Sequence, residues 1–437
     1  MGTQNFLKVI YRKHTPFLIF LIITQLTTFL LISCEDEVIQ PPPKPPGYQE
    51  DIPWPSLAES PWPMNHHDPQ RTGRSQFVGP RIGTIDWIID SVAIMSSISI
   101  GTDSSIYLPS QSAAHLGFYS YTPGGALKWK LGVNEGLNFS YNVSTPLVAR
   151  DGTVLFAGGL SGKVFSINSN GSLKWVYQAQ NNIYQTGMNI GLDGTFYLIT
   201  TGKDLIAIDA NGNAKWAFNY SDFFSNTSSV ISFSPDGKTL YIPGISNSLY
   251  SFDINTQTIN WFFGDGTLYA APIVDNEGNI YIQSKDLNYN NGKNTLFCLK
   301  PDGGIKWAYS HNNPQMDIAY LYAEGTIDKY GNSYFAFDTL YSVSYDGKLN
   351  WKLALDGYVY TPLICDAENV IYVSVLDKNA FYSIKEIVAI NNKGEYLWRL
   401  PISNNYPEDV GGLSPAIDET NRLYIPTWEQ QRFFVIK

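Results

Sequence analysis

The sequence predicts an all-β fold, a ring of eight four-stranded antiparallel units. Three observations carry that prediction. Eight tryptophans recur at gaps of 41 to 47 residues: Trp87, Trp129, Trp175, Trp216, Trp261, Trp307, Trp351 and Trp398. A fixed period of this size marks a repeat architecture, in which each unit buries its apolar face only by stacking on its neighbour. Each period also holds a tight turn between short apolar runs, and no segment carries helical periodicity. The composition agrees: charged residues make up 16% and aromatics 14% of the chain, with 29 Tyr and 36 Gly. Such a mixture suits short strands and polar turns.

Within one period the elements follow in order. Strands A and B flank a tight turn rich in Asp, Asn and Gly, as in Ile190 to Tyr197, Pro272 to Tyr281 and Pro415 to Tyr424. Those residues tolerate the backbone angles a hairpin needs. Strand B carries Tyr107, Tyr197, Tyr241, Tyr281, Tyr334, Tyr372 and Tyr424, and the second period departs from this with Leu155 and Phe156. Strand C alternates, as in Lys163 to Ile167, Asp204 to Ile208 and Glu386 to Ile390, which reads as a half-buried strand. Strand D carries the tryptophan, usually four residues after a turn glycine, as in Gly171 to Trp175, Gly212 to Trp216 and Gly303 to Trp307.

Seven complete A-B-C-D units end at Trp129 to Trp398, and an A-B-C set without a D strand follows from Leu413 to Lys437. The missing strand lies at the other end, Gly83 to Trp87. The expected architecture is an eight-bladed β-propeller whose last blade is closed by an N-terminal strand. Closure removes a sheet edge that would otherwise invite aggregation.

The chain opens with a basic stretch, Lys8, Arg12 and Lys13, then an apolar run from Phe17 to Ile32. It is read as a targeting segment. The following Ser33-Cys34 resembles the bacterial lipobox. That resemblance implies a signal peptide over residues 1–33, lipidation of Cys34, and an outer-membrane lipoprotein facing the periplasm or the cell surface. Glu35, Asp36 and Glu37 resemble a surface-export signal of such lipoproteins and equally read as a solvated charge run. Residues 34–53 are then a Pro-rich tether reaching up to about 50–60 Å in a polyproline conformation. Residues 54–82 are a lead-in, and 83–437 the propeller.

Loss of residues 1–33 leaves 26 Lys and Arg against 39 Asp and Glu, a formal charge of −13. An acidic chain lacks the electrostatic footprint for nucleic acid, and the lipid is its only expected hold on a membrane. Cys298 and Cys365 fall in different blades and are expected as free buried thiols. The sequence contains no CxxC and no HExxH, so no metal site is expected. His66, His67 and Asp68 read as a polar plug or capping segment, and the Asp-x-x-Gly turns as turn chemistry, not calcium loops.

The tryptophan pattern, best seen from Ala207 to Trp216, and the shared last blade resemble the quinoprotein-type, PQQ-like eight-bladed propellers. The lead-in from Trp62 to Ser75 resembles the opening of secreted members. The resemblance spans residues 82–437. It implies that the eight tryptophans dock one blade on the next. The family holds both PQQ- and calcium-dependent dehydrogenases and non-catalytic lipoproteins of the outer-membrane β-barrel assembly machinery. The dehydrogenases often place a disulfide between adjacent cysteines against the quinone; this chain has no adjacent pair, and none of their catalytic residues maps onto it. No cofactor, PQQ or calcium, is expected.

The A–B and C–D turns share one face and are uniformly short. The B–C and D–A connections share the other and hold the long, irregular loops, where binding usually resides. That face carries Phe139, Tyr141, Tyr184, Phe223, Phe224, Tyr269, Tyr320, Tyr322, Tyr358, Tyr360 and Tyr406. Tyrosine offers large contact area at low entropic cost and keeps a polar handle. The reading is a monomeric, non-catalytic envelope scaffold that binds a protein or glycan through these loops. The alternative is an enzyme on the propeller axis, a PQQ-dependent dehydrogenase or a carbohydrate-active lyase or hydrolase.

Overall fold

Eight sheets surround one axis in the computed structural model. It describes residues 43–437 except 91–93, 95, 111–115, 133–142, 184–187, 220–229, 245–247, 265–267, 286–292, 313–322, 379–382, 403–412 and 428–431. Residues 46–437 form one compact unit. Among the described residues there is no α-helix. Seven blades are consecutive A-B-C-D meanders. The eighth joins Ile85–Asp90 antiparallel to Arg432–Ile436, so the N-terminal strand closes the ring as the missing D strand requires.

Burial explains the order of strands. The A, B and C strands are packed on both faces by neighbouring blades. Phe196–Ile199 is wholly buried and Asp204–Ile208 nearly so. The D strands alternate between half-buried and exposed, as along Ala214–Asn219. This corrects the reading of strand C as half-buried. Its alternation is one of size, not of exposure.

A row across each blade shows why. Tyr197 on B faces Ala207 on C, which faces Trp216 on D. The same row reads Tyr241, Ser251, Trp261 in the fourth blade and Tyr281, Cys298, Trp307 in the fifth. A small residue between two large aromatics lets the row interdigitate without voids.

The tryptophans bind blade to blade. The Trp175 indole nitrogen donates to Ala210 O at 3.0 Å, and its ring lies on Gly212 of the next blade. Gly212 has φ +87°, and a Cβ there would meet the ring at 2.7 Å, so both the turn and the contact require glycine. Trp398 makes the closing contact, donating to Pro80 O at 2.9 Å and covering Gly83. One turn departs: Gln257, at φ +56°, stands four residues before Trp261, where other turns place glycine.

Cys298 and Cys365 are free and buried, on strand C of the fifth blade and strand A of the seventh. The Asp-x-x-Gly turns spend their carboxylates locally. Asp275 accepts from the amides of Glu277 and Asn279, from Asn279 Nδ2 and from Tyr281 OH.

Candidate functional site at the axis and the two faces

A propeller's innermost strands leave an unpaired edge facing the axis, and buried backbone N–H groups need partners. Here the lead-in supplies them. Six equivalent strand-A amides, Ile100, Val148, Phe233, Val274, Ile327 and Cys365, donate to the carbonyls of Trp62, Pro63, Pro69, Gln70, Thr72 and Gly73 at 2.7 to 3.2 Å. In the third blade the Asn189 side chain donates to Pro69 O at 3.0 Å instead. The stretch Trp62–Arg74 therefore plugs the turn-face end of the channel, as expected of a polar plug. Its course demands unusual backbone: His66, His67 and Arg71 have φ of +58°, +80° and +59°.

Before reaching the axis the chain runs over the turns. Gln49 N donates to Lys329 O at 2.8 Å, and Gln49 Oε1 accepts from the Asn276 amide at 3.0 Å. Trp54 donates to Ile190 O at 2.8 Å and packs on Phe233. Gln49 and Trp54 are thus tied to the ring. Cys34 lies outside the described residues.

A charged cluster sits where plug meets ring. Arg71, 1% exposed, donates to Glu324 Oε2 at 2.5 Å, and His66 Nδ1 lies 3.6 Å from the same oxygen. The other imidazole nitrogen, Nε2, bonds Leu363 O at 3.0 Å. Burial alone would raise the Glu324 carboxyl, but the charges of Arg71 and His66 outweigh it and hold it below the usual range. Burial pushes His66 down, and Glu324 only partly offsets this. Glu324 lies two residues before strand A, where other blades place Ser97, Thr145, Val230, Ala271, Pro362 and Ser414. A glutamate at that position breaks the repeat in the sequence itself.

Beside the plug, on the turn face, the lead-in encloses a cup of about 660 Å³. Its lining includes Trp54, His67, Asp68, Arg74, Arg150 and Asn276. His67 Nδ1 meets Asp68 Oδ2 at 3.2 Å, and Thr72 donates to Asp68 through its amide and hydroxyl. Burial would raise Asp68, yet its bonds to His67 and Thr72 hold it low and ionised. Turn lengths alone do not reveal the cup, because the lead-in builds it on top of the short turns.

Of the aromatic loop residues, Phe139, Tyr141, Tyr184, Phe223, Phe224, Tyr320, Tyr322 and Tyr406 lie outside the described residues. Tyr269 belongs to the first strand of the fifth blade, Leu268–Val274, paired with Gln283. Tyr358 and Tyr360 are half-buried and pack against the core formed by the first, seventh and eighth blades, with Tyr358 also 5.2 Å from the Phe337 ring. These two serve packing at least in part. Among the described residues no group of His, Cys, Asp and Glu is placed to hold a metal.

This ring, its tryptophan docking and its shared last blade decide the fold type. It is an eight-bladed β-propeller. Residues 118–261 match the family model described as outer membrane protein assembly factor BamB. Among solved structures the propeller is similar to BamB from Moraxella catarrhalis, at 15% identity and a TM-score of 0.58, covering 81% of this chain and 99% of that one. A europium-containing methanol dehydrogenase is similar at 12% identity and a TM-score of 0.58, covering 86% of this chain and 98% of that one. The quinohemoprotein alcohol dehydrogenase from Comamonas testosteroni follows at 12% identity and a TM-score of 0.57, with 88% and 81% covered. At such identities the propeller shares its fold with both kinds of protein, and fold does not choose between their functions. Curated sequences gave no match.

Proposed function

We propose that this chain is a non-catalytic lipoprotein of the bacterial envelope, a propeller scaffold that binds a protein partner through its irregular loop face. The observation that carries the reading is the asymmetry of the ring. One end of the channel is stopped by the protein's own lead-in, and the opposite face holds the connections that do not repeat. The family model that matches residues 118–261 names an outer-membrane assembly factor, which supports an envelope protein as partner. Cys34 would carry the lipid, and the Pro-rich stretch after it would set the reach.

The cluster around Glu324 supports a reading in which no calcium ion binds at that carboxylate. A calcium ion there would need a free carboxylate, and the carboxylate of Glu324 is engaged by Arg71 and faced by His66.

The test is cross-linking in intact cells with mass spectrometry, comparing wild type with a Tyr320→Ala, Tyr322→Ala, Tyr406→Ala variant. Loss of the partner adduct with an unchanged melting transition is expected. An adduct retained in full would refute the loop face. Dye-linked oxidation of an alcohol or sugar by the purified chain with PQQ and calcium would overturn the non-catalytic reading.

A further inference from the structure

The turn face carries a built feature that the scaffold reading does not use. The cup beside the plug, about 660 Å³, lies within the range of about 300–1,000 Å³ typical of small-molecule sites. Three of its lining side chains each hold a buried polar atom without a hydrogen-bond partner among the described residues: His67 Nε2, Arg74 Nη1 and Asn276 Oδ1. Such atoms are uncommon, because an unmet buried donor or acceptor costs about 1–3 kcal/mol. Arg74 is 8% exposed, so its guanidinium is a nearly buried charge bordering the cup.

The rest of each group is tied down. Arg74 Nη2 donates to Glu50 O at 3.1 Å and to Asp51 Oδ1 at 3.0 Å, leaving Nη1 over. With Asp68 ionised, His67 turns its Nδ1–H to that carboxylate and presents Nε2. Asn276 donates through Nδ2 to Tyr48 O at 3.2 Å and leaves its carbonyl oxygen over. The floor beneath them is rigid, since Pro63, Pro69, Gln70 and Thr72 line the cup and hold strand-A amides of the ring.

We propose that this cup is a second binding site, for an uncharged, hydroxyl-rich ligand of disaccharide size. Charge selects against an anion. Arg74 is paired to Asp51 and Arg150 to Glu59, while Glu50 and Asp68 add negative charge to the lining. The leftover atoms are a donor, an amide acceptor and an imidazole nitrogen. A hydroxyl both donates and accepts, so a run of hydroxyls meets all three, with Ile52, Pro53, Trp54 and Pro55 as the apolar wall. The three atoms are buried within side chains that line the cup, and rotation of those side chains would bring them to a ligand.

The test is titration calorimetry of the full mature chain with maltose, cellobiose, lactose and chitobiose, on wild type and three variants. At least one sugar should bind the wild type. Asn276→Asp, which keeps size and adds charge beside the ligand, should weaken it by about tenfold, as should Arg74→Lys. The loop-face variant Tyr320→Ala, Tyr322→Ala, Tyr406→Ala should bind as wild type does. No binding by any of the four sugars would overturn the proposal, and the orphaned atoms would then be met by water alone. Binding unchanged in both cup variants, or lost only in the loop-face variant, would overturn it too. Asn276 is half-buried at a surface turn, so its variant reads binding even if Arg74→Lys disturbs the lead-in.

Discussion

Replacing Glu324 by glutamine tests whether the plug is locked to the ring by a buried charge pair. Arg71 is 1% exposed and the Glu324 side chain 13%, so the pair is shielded from water. Removing one member of such a pair leaves the other as an uncompensated buried charge, at a cost of about 3–5 kcal/mol. Removing both costs far less, since the desolvation of both is relieved. Glu324→Gln should therefore destabilise the docked lead-in by about 3 kcal/mol, and Arg71→Met with Glu324→Gln should recover most of that. Hydrogen exchange on the Val274, Ile327 and Cys365 amides reads the docking directly, because their acceptors all lie in the plug. A loss of about 3 kcal/mol appears there as protection lowered by about two orders of magnitude. Unchanged protection at those three amides in Glu324→Gln would refute the reasoning. Equal losses in the single and double variants would show that the pair is not what holds the plug.

Two further perturbations follow from the geometry. Gly212→Ala puts a methyl group 2.7 Å from the Trp175 ring at φ +87°, so denaturant unfolding should show a loss of about 1–3 kcal/mol, while Gly124→Ala, in open surroundings, should cost far less. Acidification should weaken the fold below about pH 6.5. Burial lowers His66 and holds His311 down to about 4, so the unfolded chain takes up protons before the folded one does. Stability from both is complete above the unfolded value and lost as pH falls toward the folded ones, and His311→Gln should flatten the lower part of that slope in urea titrations between pH 7 and 4.

The ring was legible because the same packing problem is solved eight times. Six blades repeat a large aromatic on B, a small residue on C and a tryptophan on D, and the second and eighth depart only through Leu155 on B and Val435 on C, so the period survives in single-letter form. Closure was legible too, since a missing D strand at Lys437 and a spare one at Trp87 admit one solution. Strand C misled, because Val-Phe-Ser-Ile and Leu-Ile-Ala-Ile alternate in size, and only the sheet of the neighbouring blade shows that both sides are buried. The site was less legible. His66, His67 and Asp68 could be read as a plug from polarity and place, yet Glu324, which meets His66 and Arg71, lies more than 250 residues away in sequence. The pairing comes from ring geometry, which places every strand-A start on one axis. The cup depends on the path of a segment with no regular secondary structure, for which neither period applies.

The lead-in also decides how the ring would bear tension. A pull on Pro46 does not reach the closing strand first. It meets Gln49 on Lys329, then Trp54 on Ile190 and Ala58 on Val148, and only then the axial bonds from Trp62 onward and the seventh blade. These contacts are loaded one at a time and peel in sequence, whereas Ile85–Asp90 and its partner strand slide along their length and fail together. Residues 46–82, once peeled, would pay out roughly 120 Å of extended chain before the ring itself is strained. The segment that stops the channel is thus a mechanical fuse, which yields in small steps and spares the eight blades behind it.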